Sequence, residues 1–146
     1  MGFFSSSKTP SSADKFNKQE AFLAVALATS AADGKVDPSE VKAIFSYLLR
    51  MKMFEQYSEK EMSKIFEKLV KILQNEGPGG LVAIVNTSLP VELRETAFAC
   101  AVDIALADGV VEDSEKALIE ELQRVLEISE ETAQAILQVM LIKNRN

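Results

Sequence analysis

Apolar residues recur along this chain at the spacing of an α-helix, from about residue 13 to the C-terminal end. The first such stretch predicts a helix from about Ala13 to Ala32. The apolar face of this helix carries Phe16, Leu23, Leu27 and Ala31. No stretch alternates between apolar and polar residues with the period of two that is typical of a half-buried strand. The pattern therefore predicts an all-α fold.

Start and stop signals divide the first half of the chain into three helices. Gly34 suits a left-handed corner after the first helix. Asp37 is typical of an N-cap, with Pro38 at the first helical position and Glu40 at the capping-box position. A further capping box, SEKE, begins at Ser58 and predicts the third helix. The apolar stripes of the second and third helices are Val41, Ile44, Phe45, Leu48 and Leu49, followed by Ile65, Phe66, Leu69, Ile72 and Leu73.

The second half repeats this order after a strong break, NEGPGG, at residues 75–80. The apolar stretch that follows predicts a short buried helix. Ser88 with Pro90 is expected to start the next long helix, Gly109 marks a second corner, and Ser129 is expected to cap the last helix. The apolar stripes of the last two helices are Leu118, Ile119, Leu122 and Leu126, followed by Ala133, Ile136, Leu137 and Met140.

The two corners are copies of one motif. AADGKVDPSE begins at Ala31 and LADGVVEDSE at Leu106, so Asp33 corresponds to Asp108 at an offset of 75 residues. We therefore expect a single-domain bundle of six to seven helices, built from two pseudo-symmetric three-helix halves whose backbones superpose. The domain is expected to occupy residues 13–146. The stretch SSSKTPSSAD is polar and carries Pro10, so residues 1–12 are expected to form a disordered or loosely docked leader.

Composition excludes several classes of chemistry. The 146 residues include no His and a single Cys, so His-based catalysis, His-ligated zinc and an internal disulfide are excluded. The net charge of −6 argues against a nucleic-acid-binding surface, which requires clustered basic residues. The longest mostly apolar run, at residues 21–32, is too short to span a bilayer.

The acidic corners resemble the second part of an EF-hand loop. Asp33, Gly34, Val36 and Glu40 match positions five, six, eight and twelve of that loop, and the second corner matches in the same way. The first two ligand positions fall on helical residues that offer almost no ligands: Thr29 and Ala31 in the first copy, Ile104 and Leu106 in the second. A complete calcium loop is therefore excluded, and half a loop remains in each copy.

Two interpretations of the corners stay open. Capping and the left-handed glycine explain most of the spacing without any ligand. They explain Asp33 and Asp108 less well, because a carboxylate at a helix C-terminus faces the negative end of the helix dipole. The compensation is either a cation or hydrogen bonds from the amides of the turn. Any cation would be hard, divalent and weakly bound, hence calcium, magnesium or manganese, since only oxygen ligands are available.

Other chemical candidates are weaker. Cys100 lies among alanines on a helix, with no His to activate it, and is expected to be a packed thiol. Asp103 interrupts an apolar helix and is expected to turn toward a basic residue or toward the second corner. No pair of nucleophile and base can be assembled, so an enzyme is not indicated, and no cofactor other than the cation is indicated.

The pattern resembles the TerB-like tellurite-resistance family. The likeness rests on the AADG and ALADGVVEDSEK corners, the MGFF start, the MFE after the second helix and the glycine-containing break in mid-chain. The resemblance implies a bacterial, cytoplasmic, non-enzymatic module tied to tellurite resistance and stress response. It also implies an acidic surface that binds partner proteins or divalent cations. The residues concerned, carried over by position, are Asp33, Glu40, Asp108, Glu112, Asp113 and Glu115.

Two classes of function remain open at this stage. The first is a stress-related interaction module that recognises other proteins and depends in part on a cation. The second is a helical scaffold or accessory domain whose corners are purely structural. The corners themselves differ in one respect, because Val41 stands in the first where Lys116 stands in the second.

Overall fold

The computed structural model describes residues 16–107, 109 and 111–145, apart from the side chain of Phe45. The predicted leader at residues 1–12 lies outside this part of the chain. The described residues form seven α-helices and no strand, which confirms the predicted all-α bundle. The helices are α1 (Lys18–Ser30), α2 (Pro38–Leu49), α3 (Glu59–Glu76), α4 (Pro78–Ser88), α5 (Arg94–Leu106), α6 (Asp113–Val125) and α7 (Glu130–Lys143). Two short 3-10 turns, Lys52–Phe54 and Val91–Leu93, lie between helices.

The helix α1 forms the centre of the core. Every residue at positions 21–29 is buried, because this stretch is apolar or small on all sides of the helix. The hydroxyl of Thr29 donates to the Val25 carbonyl at 2.8 Å, so this polar group is satisfied inside the helix itself. α1 packs against α4 and α5 and also contacts α2, α3 and α6.

The helix α5 is the counterpart of α1 in the second half. It packs against α1 and contacts α6 and α7, the two helices that follow it, just as α1 contacts α2 and α3. The equivalent helices of the two copies therefore meet at the centre. This arrangement fits the expected pseudo-symmetric halves, and the superposition of their backbones stays a prediction.

The outer helices bury one face each. On α3 the buried residues are Met62, Phe66, Leu69 and Leu73, whereas Ile65 and Ile72 of the predicted stripe are half-buried. On α6 only Leu118 and Leu122 are buried. The remaining faces of both helices are charged, which is the pattern expected of amphipathic helices covering a core.

The first helix is shorter than the sequence predicted. Asn17 is its N-cap and accepts from the Glu20 backbone N–H at 2.8 Å, while the Asn17 backbone N–H donates to the Glu20 carboxylate at 2.9 Å. This capping box fixes the start at Lys18, so the predicted start near Ala13 is wrong. The helix ends at Ser30 rather than Ala32.

The expected helix start at Ser88 is also wrong. Ser88 is the last residue of α4, because the hydrogen-bond ladder of that helix continues to the Leu89 N–H, which donates to the Val85 carbonyl at 3.1 Å. The chain then passes through Pro90 in an extended conformation, and α5 begins at Arg94 without a side-chain cap. The mid-chain break is confined to Gly77, since Pro78 already starts α4.

Candidate functional site

The first corner is a tight turn, in which Gly34 has a left-handed backbone and Asp33 accepts a hydrogen bond from the turn. Gly34 has a φ of +86°, the left-handed conformation expected from the sequence. The exposed Asp33 carboxylate accepts a hydrogen bond from the Lys35 backbone N–H at 3.0 Å. An amide of the turn thus compensates this carboxylate, which is one of the two compensations expected.

The next helix starts at the predicted cap. The Asp37 carboxylate accepts from the Ser39 backbone N–H at 2.9 Å and from the Ser39 hydroxyl at 2.7 Å. The hydrogen bond from the Ser39 hydroxyl, followed by that from its backbone, holds the pKa of Asp37 below its usual value. Glu40 does not bond back to this cap. Its carboxylate instead accepts from the Ser30 hydroxyl at the end of α1, at 3.2 Å.

The second corner uses its carboxylates differently. Gly109 has a φ of +80°, but Asp108, one of the predicted site residues, lies outside the described residues. Glu112 is the N-cap of α6, and its backbone N–H donates to the Glu115 carboxylate at 3.1 Å. Glu115 therefore has the capping contact that Glu40 lacks, and the two copies of the motif are not equivalent in their contacts.

The two equivalent glutamates meet in one cleft. Glu40 and Glu115 both line a cleft of about 340 Å³, together with Asp103. Each glutamate lies in the first turn of the helix that follows its corner, and these helices, α2 and α6, pack against the paired helices α1 and α5. The predicted site residues Asp33, Glu112 and Asp113 are exposed and do not line the cleft.

Asp103 is the buried carboxylate of this cleft, with only 5% of its surface exposed. Its Oδ1 accepts from Lys143 Nζ at 3.1 Å and from Asn144 Nδ2 at 2.9 Å, and its Oδ2 lies 3.2 Å from the Tyr47 hydroxyl. The sequence predicted that Asp103 turns toward a basic residue or toward the second corner, and the first of these is confirmed. The sequence could not identify Lys143 as the partner, because Lys143 lies 40 residues away in α7, two helices after α5.

Tyr47 is a contributor that sequence reasoning missed. Its hydroxyl lies 3.6 Å from the Cys100 sulfur as well as next to Asp103, so it links α2 to α5. Burial is the largest cause that raises the pKa of Tyr47 above its usual range. The available signal was a hydroxyl-bearing residue next to the apolar stripe of α2, which is too common to single out a site.

Cys100 behaves as the packed thiol that the sequence predicted. It is buried, and burial raises its pKa, although the Tyr47 hydroxyl acts in the opposite direction and the Asp103 carboxylate adds to the rise. A thiol with a raised pKa is a poor nucleophile at neutral pH because little thiolate is present.

The cleft is suited to binding positive charge. Its lining includes three carboxylates, Glu40, Asp103 and Glu115, and the apolar side chains of Ile44 and Ile104. Within the described ranges, no three Asp, Glu or Cys side chains are grouped so that they could hold a metal ion. A cation site would therefore need Asp108, ligands from water, or a rearrangement of the glutamates.

Comparisons with known proteins identify a family. A family model described as tellurite resistance protein TerB matches residues 19–138, from the start of α1 into α7, and so includes both corners. No curated protein and no solved structure matches the chain significantly. Among the residues that the structure describes, no helix has the length and apolar character needed to cross a membrane. Because the matched region covers most of the sequence, the chain belongs to the TerB family of tellurite resistance proteins.

Proposed function

We propose that this chain is a non-enzymatic stress-response module of the bacterial cytoplasm, which uses its acidic cleft to bind partner proteins and the acidic corners beside the cleft to bind, weakly, a divalent cation. The observation that carries the proposal is the convergence of Glu40 and Glu115, from the two copies of the motif, with Asp103 in one cleft. Carboxylates gathered in this way favour positively charged ligands and steer them toward the site.

Binding is favoured over catalysis by the groups that are present. The sequence has no His, and Cys100 is buried with a raised pKa, so an activated nucleophile is not supported. The net charge of −6 also disfavours direct capture of tellurium oxyanions, which carry the same sign of charge. The proposed role in tellurite resistance is therefore mediated by proteins or cations and not by the oxyanion.

The proposed cation site draws on Asp33, Glu40, Asp108, Glu112, Asp113 and Glu115. These residues offer only oxygen ligands, which suit calcium, magnesium or manganese. Each corner lacks the first two ligands of an EF-hand loop, so the expected dissociation constant is on the order of 10⁻⁴ to 10⁻³ M.

A structural scaffold is the second candidate, and specific contacts favour it. The Asp33 carboxylate is bonded to the Lys35 amide, and the Glu115 carboxylate to the Glu112 amide. Both contacts stabilise corners in the absence of any ligand. Under this alternative the corners are purely structural and neither the cation nor the cleft matters for function.

Thermal unfolding across a millimolar calcium and magnesium titration tests the cation. At ten times its dissociation constant a cation should stabilise the wild type by about 1.4 kcal/mol. Glu40→Gln and Asp108→Asn should gain less stability from the cation than the wild type does. Glu67→Gln, which removes the same charge from an exposed position on α3, is the matched control and should respond like the wild type. Equal responses of all four proteins would favour the scaffold.

Affinity capture from tellurite-stressed bacterial cells tests the protein partner. A partner of the cleft should be retained by the wild type and by Glu67→Gln, and lost with the double variant Glu40→Gln, Glu115→Gln. Thermal unfolding of the double variant must show that it is folded. A partner retained equally by all three proteins would show that the cleft is not the binding surface.

A further inference from the structure

The cationic group that contacts the buried carboxylate of the cleft comes from the same chain, at the end of α7. Lys143 is the last residue of α7, and its ammonium lies 3.1 Å from Asp103 Oδ1. The Lys143 side chain is 56% exposed, whereas that of Asp103 is 7% exposed. More than half of the Lys143 side chain is therefore exposed to solvent while its ammonium contacts a buried carboxylate.

The repeated fold does not itself require a carboxylate at this place. The residue equivalent to Asp103 in the first half, at the same offset of 75 residues, is Ala28, which is fully buried in α1. A buried carboxylate is costly unless a cation and hydrogen-bond donors accompany it. Asp103 thus imposes a requirement on the cleft, namely that some cationic group lies against it.

Exchange of one ammonium for another would satisfy this requirement. The Tyr47 hydroxyl and the Asn144 amide also contact Asp103, so the carboxylate keeps neutral donors while the cation changes. Lys143 is joined to Asp103 by one ion pair and its side chain is 56% exposed, so it can leave the cleft when another cationic group takes its place against the buried carboxylate.

The shape and charge of the cleft match a basic side chain. Ile44 and Ile104 line it with apolar surface suited to a methylene stem, and the exposed Glu40 and half-buried Glu115 add negative charge around the buried Asp103. The lining of the cleft thus holds three carboxylates and the ammonium of Lys143, and carboxylates favour a cationic side chain.

We propose that Lys143 is a displaceable plug, whose ammonium occupies the place that a lysine or arginine side chain of a partner protein takes on binding. The inference rests on the proposed function and specifies the chemistry of the partner. The match to the TerB family covers residues 19–138, and Lys143 and Asn144 follow it along the chain.

A small-molecule probe tests the plug without the native partner. The probe is N-acetyl-lysine methylamide, and N-acetyl-norleucine methylamide, which has the same four-carbon stem without the ammonium, is its neutral control. Binding is followed by NMR through the methyl groups of Ile44 and Ile104, which line the cleft. The lysine amide should shift these methyl signals and move the Lys143 ε-methylene signal toward its value in a free side chain, whereas the norleucine amide should do neither.

Removal of the plug should tighten binding. If Lys143 is seated about 90% of the time, Lys143→Gln should bind the lysine amide about tenfold more tightly than the wild type does. The matched control is Lys68→Gln, which breaks a comparable ion pair with Glu20, 3.3 Å long, at the far end of α1. It changes the net charge equally and should leave the affinity of the cleft unchanged. The double variant Lys143→Gln, Asp103→Asn should bind the lysine amide no more tightly than the wild type does, because the carboxylate that attracts the ammonium is gone.

Three results would overturn the plug. They are methyl shifts that are the same with both amides, a Lys143→Gln affinity no higher than that of the wild type, and an equal gain in Lys68→Gln. If Lys143→Gln does not fold, the movement of the Lys143 signal in the wild type decides the question alone. Since the probe replaces the native partner, failure here leaves the capture and cation experiments as separate tests of the proposed function.

Discussion

Gly34 and Gly109 show the strongest constraint at the scale of single residues. Both have a φ near +80°, and a Cβ added at either position would meet no atom within 4 Å. The strain in an alanine variant would therefore come from the backbone alone. We expect Gly34→Ala and Gly109→Ala each to lower the free energy of unfolding by about 1–2 kcal/mol.

Denaturant midpoints measure this effect. Gly79→Ala is the matched control, because Gly79 lies within α4, and a Cβ there also meets nothing within 4 Å. It should be neutral or raise stability by up to about 1 kcal/mol, since alanine is the better helix former. Unchanged stability in the two corner variants would mean that the corners adopt ordinary backbone angles in solution.

The buried thiol of Cys100 should make the free energy of unfolding depend on pH in the alkaline range. Burial raises the pKa of its thiol in the folded state, so the folded chain holds this proton more tightly than the unfolded chain does. The stabilising effect of this protonated thiol is fully present below the pKa of Cys in the unfolded chain, about 8.5. It is lost as the pH rises from there through the raised pKa of the folded chain. We expect the free energy of unfolding to decline from about pH 8.5 upward.

Denaturant unfolding of the wild type and Cys100→Ala between pH 7 and pH 10 checks this dependence. The alanine variant should start less stable because it leaves a small cavity, but it should lose the part of the decline due to the thiol. Parallel curves for the two proteins would show that the thiol does not titrate differently in the folded and unfolded states. Tyr47, whose pKa is also raised, should contribute only at higher pH.

At the scale of helices, caps decide where the elements begin. Ser58 accepts from the Glu61 backbone N–H at 3.1 Å, and the Ser58 backbone N–H donates to the Glu61 carboxylate at 2.9 Å. Ser58→Ala removes the side-chain acceptor and should lower the free energy of unfolding by about 1 kcal/mol. Ser129→Ala should act in the same direction, because the Ser129 hydroxyl caps the Thr132 amide of α7 at 3.1 Å.

The control for this prediction lies in the same helix. Ser63 is exposed in the second turn of α3, where alanine has the higher helix propensity. Ser63→Ala should therefore be neutral or slightly stabilising in the same denaturant measurement. A loss of stability in Ser63→Ala as large as that in Ser58→Ala would assign the effect to the serine itself and not to its capping position.

At the scale of the whole molecule, stability should be highest where the two halves meet. α1 and α5 are packed on each other and contacted by the remaining helices, and most of their residues are buried. Native-state hydrogen exchange should therefore be slowest in α1 and α5, because their amides open only when the whole core unfolds. The last turn of α7, with Leu141 and Ile142 exposed, should exchange much faster.

Exchange followed by mass spectrometry or NMR checks this order of protection. Slower exchange in α3 or α7 than in α1 would contradict a core centred on the two equivalent helices. The same data test the pseudo-symmetry, because α2 and α6, which follow equivalent corners, should show similar intermediate protection.

The sequence by itself determined the helical elements and most of their ends. Periodicity predicted an all-α bundle of six to seven helices, and the glycine and capping residues at Gly34, Asp37, Ser58, Gly109 and Ser129 lie where their local chemistry predicts. These signals are local, since a cap or a left-handed glycine acts within a few residues of itself. The sequence did not predict the N-cap of α1 at Asn17 or the continuation of α4 through Ser88, because several polar residues near both positions satisfy the same capping rules.

Only the tertiary structure decided the composition of the cleft. The sequence named Glu40 and Glu115 but gave no reason for them to share one space, and it named Asp103 without its partners. Tyr47 and Lys143 lie 56 and 40 residues from Asp103 along the chain. Their meeting depends on how α2 and α7 pack against α5, and packing is set by the sum of many weak apolar contacts across the core, which no local sequence rule records.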